Sequence, residues 1–136
     1  MMLKFNKDID TLYIHFQTGT SNIQVPTDND DLYKFVLKSD RTQIIGYEVE
    51  NATTNSSLIL DQLSLNSKQK LAIVLYMARE KHGKTQKEFA DMLKVSESTY
   101  KNLEKAEHNI AFDTITEIYS NLPKESSLNK VFMAAG

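Results

Sequence analysis

The chain contains no cysteine. That excludes disulfides, thiol nucleophiles and thiolate metal sites, and it fits a reducing cytosol. No apolar run approaches the roughly 20 residues that a membrane-spanning helix needs. The first residues, Met1-Met2-Leu3-Lys4-Phe5, lack the apolar stretch of a signal peptide, so the expected location is the cytoplasm. His15, His82 and His108 fall in different segments, and no His-Glu-x-x-His spacing occurs. Asp28-Asn29-Asp30-Asp31 has the acidic start of a calcium loop, but Tyr33 and Ser39 stand where that loop needs Gly and Glu. An acidic turn is expected there, and Asp8 and Asp10 read as residues at the start of a strand. Neither a Ser-His-Asp pattern nor a phosphate-binding loop is present. No enzyme, metal site or cofactor is therefore expected, and the chain shows no repeat or low-complexity segment.

What is present fits an ordinary soluble protein. The 136 residues are 40% hydrophobic and 25% charged, enough for one domain or two very small ones. The formal net charge of −2 is unevenly spread. Residues 1–66 hold five Lys/Arg against nine Asp/Glu, and the remainder holds eleven against nine. Such asymmetry suggests two units with different partners. The positive surplus of the second is small, so nucleic-acid affinity there would lean on dimerisation and on where individual lysines stand.

The pattern divides the same way. Leu12, Ile14 and Phe16 alternate with Tyr13, His15 and Gln17, a period-two strand. Gly19-Thr20-Ser21-Asn22 reads as a turn, Tyr33–Leu37 as a second strand, Ser39-Asp40-Arg41-Thr42 as a turn and Ile44–Val49 as a third strand. Leu3–Phe5 adds a short fourth. Short turns between sequential strands predict an antiparallel meander. Asn51–Ser57 is a polar loop, and Leu58–Leu65 is either a short helix or the linker. The expected domains are 1–65 and 66–136.

From Ser67 the period becomes helical. Leu71, Val74, Leu75 and Ala78 share one face, and Gly83 closes that helix. Thr85-Gln86-Lys87-Glu88 is a capping box opening a second helix with Phe89, Ala90 and Leu93 inward. After Val95, Ser96 is an N-cap for a third helix through Lys105. Residues 112–122 give a fourth, with Ile115, Ile118, Tyr119 and Leu122 inward and Pro123 as its stop. Leu128–Ala134 is a last amphipathic piece that either caps the bundle or meets a partner.

Two short, separately capped helices joined by about three residues form a helix-turn-helix pattern. Ala90 is small where the helices must approach, Val95 fills the space under the turn, and Tyr100 and Leu103 anchor the third helix. Thr85-Gln86, Ala90, Val95-Ser96 and Leu103-Glu104 together make residues 67–122 resemble the Cro/cI-like (XRE-type) family of helix-turn-helix repressors. Two positions depart from that family. Lys94 stands where the turn usually has Gly, which implies strain if a positive φ is required, and Lys105-Ala106 replaces the Gly after the late Glu.

The resemblance implies a lambda-repressor-like domain of four to five helices whose third helix lies in the major groove of double-stranded DNA. Glu97, Ser98, Lys101 and Asn102 would face bases, with Ser96 at the same helix start. Asn102 suits adenine, Lys101 guanine and Glu97 the cytosine amino group. Gln86 and Lys87, at the positive end of the second helix, suit phosphate, and Lys105 and Asn109 would hold the backbone beyond the third helix.

Residues 4–52 are similar to a family of small β-rich bacterial domains of unknown function, through Asp8-Ile9-Asp10-Thr11-Leu12-Tyr13-Ile14, then Asp40 and Ile45-Gly46-Tyr47-Glu48-Val49. That resemblance implies a small antiparallel sheet and no chemistry. A lone domain of this size buries little surface, so dimerisation through the sheet is expected, with toxin capture and ligand sensing as competing roles. The expected protein is α+β: an N-terminal antiparallel sheet, then a helical DNA-binding domain. Its expected function is that of a dimeric repressor or autoregulator at a palindromic operator. The alternative is the antitoxin of a toxin–antitoxin pair, and a third class is an interaction module that has lost DNA binding.

Overall fold

The computed structural model describes residues 1–55, 57–107, 109 and 111–121. Leu122, Pro123, the Leu128–Ala134 piece and His108 lie outside them, as does the side chain of Tyr119. The chain divides into two compact units, Met1–Ile59 and Leu60–Gly136.

The first unit is a five-stranded antiparallel sheet: β1 (Met2–Asn6), β2 (Thr11–His15), β3 (Asn22–Pro26), β4 (Leu32–Leu37) and β5 (Ile44–Glu50). Its order is β1-β2-β5-β4-β3, which corrects the expected meander: β2 pairs with β5 and not with the next strand in sequence. The segregation is physical. β5 is the longest strand and takes the centre, where both its edges are paired. β3 ends in Pro26 and keeps its polar residues exposed, so it is tolerated only at an edge. With just Ile23 and Val25 as apolar residues, β3 carries too weak a pattern to read in the sequence.

Register places Leu12, Val49 and Leu32 in one cross-strand row and Ile14 beside Tyr47 in the next. These five side chains are buried, with Val36 and Ile45. Two carboxylates then tie the turn Ala52–Thr54 to the sheet. Asp10, in a left-handed backbone (φ 48°), accepts from the Thr53 amide at 3.1 Å and its hydroxyl at 2.7 Å. Asp31 accepts from the side-chain amides of Asn51 and Asn55, each at 3.0 Å.

A wide helical turn, Leu58–Gln62, spans the unit boundary, and among the described residues four helices follow it in the second unit. These are α1 (Ser67–Lys81), α2 (Gln86–Leu93), α3 (Glu97–Glu104) and α4 (Phe112–Asn121). Capping boxes open α1 (Asn66 with Gln69) and α2 (Thr85 with Glu88), satisfying amides that a helix start leaves unpaired. Phe89, Ala90, Leu93, Tyr100, Leu103, Leu75 and Ile118 are buried, and the Phe89 and Tyr100 rings meet edge-on with centroids 5.6 Å apart. Burial on α1 is wider than the expected stripe: every residue from Ala72 to Ala78 is buried.

The first three helices end alike. A left-handed residue follows each, at Gly83 (φ 61°), Lys94 (φ 61°) and Ala106 (φ 59°). Its amide and the next one close back on the last turn: Gly83 to Glu80 and Lys84 to Arg79, Lys94 to Asp91 and Val95 to Ala90, Ala106 to Leu103 and Glu107 to Asn102. Only the first of the three is glycine, so Lys94 and Ala106 carry the strain that a Cβ creates in this conformation. Lys94→Gly and Ala106→Gly are each expected to raise stability by up to about 1 kcal/mol, because relief of that strain exceeds the added freedom of the unfolded chain. A urea melt of each variant checks this, and a loss of stability would contradict it.

Candidate nucleic-acid interface

α3 is held by two neighbouring helices. It packs on α1 and α2, and Tyr100, Leu103 and Glu104 point inward. Glu104 is 8% exposed, and Arg79 of α1 meets it through two hydrogen bonds, Nε to Oε2 at 2.7 Å and Nη2 to Oε1 at 3.1 Å. Gln86 of α2 donates from Nε2 to the same Oε1 at 3.1 Å. Arg79 Nη1 also reaches the Lys84 carbonyl at 3.1 Å, so one side chain fixes the α1–α2 turn and the end of α3. Its guanidinium lies over Tyr76, 5.4 Å from the ring centroid.

The electrostatics follow from burial. Burial works against the Arg79 charge, but the hydrogen bond and the charge of Glu104 more than offset it, and the Arg79 pKa is raised. The Tyr100 hydroxyl is pushed far up, first by burial and then by the Glu104 charge; it stays neutral and donates weakly to the Leu75 carbonyl at 3.4 Å. This paired cluster orients α3 from beneath.

The opposite side of α3 is open. Glu97, Ser98 and Lys101 are exposed and Asn102 is half-buried; with Lys105, also exposed, they form a row at helical spacing. Glu97 and Lys101 make an ion pair at 3.2 Å, both side chains more than 40% exposed. Ser96 is spent locally: its Oγ accepts from the Thr99 amide at 3.1 Å and donates to Thr99 Oγ1 at 2.8 Å. On α2, Lys87 is exposed, while Gln86 is half-buried with its amide nitrogen on Glu104. The capping box takes the Glu88 amide; the amides of Gln86 and Lys87 are first-turn donors that an α-helix leaves without an internal partner. Asn109 is exposed in the segment after the Ala106 turn, outside the α3 row.

Arg79 was not legible as a site residue. Its partner is 25 positions away, and alone it reads as a basic residue in a helix's last turn.

Residues 75–123 match the family model described as Helix-turn-helix. This part of the chain is a helix-turn-helix domain of the XRE type, the DNA-binding class of transcriptional regulators. Among solved structures, the chain is similar to the clp gene regulator ClgR from C. glutamicum, at 21% sequence identity over 53% of this chain and 91% of that chain, with a TM-score of 0.43. A comparison with curated proteins finds no match. Among the described residues no helix is long and apolar enough to cross a membrane.

Proposed function

We propose that the protein is a sequence-specific repressor that binds a palindromic operator as a homodimer, regulates its own transcription and works in the cytoplasm. One observation carries the proposal: α3 is locked from beneath by Arg79, Glu104 and Gln86, while Glu97, Ser98, Lys101 and Asn102 lie along its other side. A helix fixed on one side and polar on the other suits insertion into a major groove. Asn102 then faces an adenine edge, and Lys101, once parted from Glu97, a guanine. The Glu97–Lys101 pair makes that row nearly neutral when DNA is absent, so affinity comes from phosphate contacts. Lys87 with the first-turn amides of α2, and Lys105 and Asn109 beyond α3, supply them.

The chain's small net charge calls for two copies acting together. Among the described residues β1 stands at one end of the sheet order, and pairing of two β1 edges is the proposed route to the dimer. Light scattering at micromolar concentration is expected to give twice the chain mass; a monomer would remove the dimer from the proposal.

The regulator reading is tested by a mobility-shift titration on DNA from upstream of the protein's own gene. Binding is expected, and it should weaken steeply as salt rises from about 50 to 200 mM. No shift at low salt would overturn it.

A further inference from the structure

The sheet has a second face that forms no core. Register places Tyr13, Glu48 and Tyr33 side by side across β2, β5 and β4, and His15, Gly46 and Phe35 in the adjacent row. All the side chains in these two rows are half-buried. The His15 and Phe35 rings meet over Gly46, with centroids 5.4 Å apart. The result is an aromatic surface of Tyr13, His15, Tyr33 and Phe35 with the Glu48 carboxylate among them.

That carboxylate is under-served. Its side-chain partner is neutral, the Gln24 amide at 3.0 Å, and among the described residues no cation pairs with it. Burial, and then the neighbouring Glu50 charge, raises its pKa, so the arrangement holds a charge it poorly supports. The surrounding unit is acidic, with eight Asp/Glu against five Lys/Arg in residues 1–59.

We propose that this face docks a basic segment of a partner protein, with an arginine side chain seated on Glu48 between Tyr13 and Tyr33. A guanidinium fits this place for two reasons. It is planar, so it can stack on tyrosine rings while its N–H groups meet the carboxylate, and its charge offsets the repulsion between Glu48 and Glu50. Two copies of this chain meeting symmetrically through the centre of the face would set Glu48 against Glu48, which like-charge repulsion disfavours. The β1 edge proposed for dimerisation is left free. The partner is therefore a different, basic protein.

The test uses the full chain and a hexa-arginine peptide, followed by isothermal titration calorimetry. The peptide is expected to bind, and Glu48→Gln to weaken binding about tenfold, as loss of a charge-assisted contact should. Asp30→Asn removes the same charge from an exposed turn position and should change affinity less than about twofold. Tyr33→Leu should weaken binding as well, through loss of the stacked ring. Equal weakening by Glu48→Gln and Asp30→Asn would overturn the proposal, because net charge alone would then explain binding. So would an absence of binding, or a change of oligomeric mass in Glu48→Gln, which would make the face a contact between copies. Operator binding by Glu48→Gln should stay unchanged, so failure here is separable from failure of the regulator reading.

Discussion

Glu104→Ala is expected to destabilise the C-terminal unit by about 3–5 kcal/mol, a large part of the stability of a small domain. The cost arises from what is left behind. Arg79, 14% exposed beside an 8% exposed partner, would keep a buried charge without its carboxylate. Gln86 would lose the acceptor of its amide. Arg79→Met should be damaging for the mirror-image reason. The double variant Arg79→Met/Glu104→Leu should recover much of the loss, since two apolar groups in place of a buried ion pair are often tolerated. Urea melts followed by circular dichroism decide this. A Glu104→Ala change below about 1 kcal/mol would mean that the pair contributes little.

The second large effect is expected in the sheet. Gly46 lies in β5 where an added Cβ would collide with the Ile14 backbone carbonyl of β2, and with ordinary backbone geometry the strands would have to part. The ladder between β4 and β5 is already irregular at Phe35/Val36, beside the same glycine. Gly46→Ala is therefore expected to cost about 1–3 kcal/mol, the usual range for overpacking, and a unit of this size has little stability in reserve. Amide hydrogen exchange across β2 and β5 should accelerate, by about tenfold for every 1.4 kcal/mol of lost stability. Unchanged protection would show that the strands yield without cost.

These two positions mark where the sequence stops being informative. Capping residues, apolar periodicity and turn chemistry act over a few residues, so α2, α3 and α4 were legible from Thr85, Ser96, the Phe89–Leu93 stripe and Ile118. Lys94 was legible too: its expected strain appears as a left-handed backbone at φ 61°. Long-range pairing leaves no such trace. Nothing local to β2 shows that its neighbour is β5, some 30 residues on, and nothing around Arg79 names Glu104 as its partner. The same limit hid the tether from Asp10 to Thr53, 43 positions away; Asp10 alone reads only as a strand-start residue. At the candidate interface, chain position placed Gln86 and Ser96 against DNA, but the structure commits Gln86's amide nitrogen to Glu104 and the Ser96 hydroxyl to capping α3.

The most direct measurement is operator affinity and sequence preference of a variant with Glu97, Ser98, Lys101 and Asn102 all replaced by alanine. Tyr100, Leu103 and Glu104 are kept, so the inner side of α3 is intact and its melting curve should match the parent's. Each lost base contact is worth about 1–3 kcal/mol, so discrimination between the operator and unrelated DNA should disappear, while weak salt-sensitive binding through Lys87 and Lys105 persists. Retention of the parent's affinity and preference by a folded variant would contradict the assignment of α3 as the helix that reads DNA.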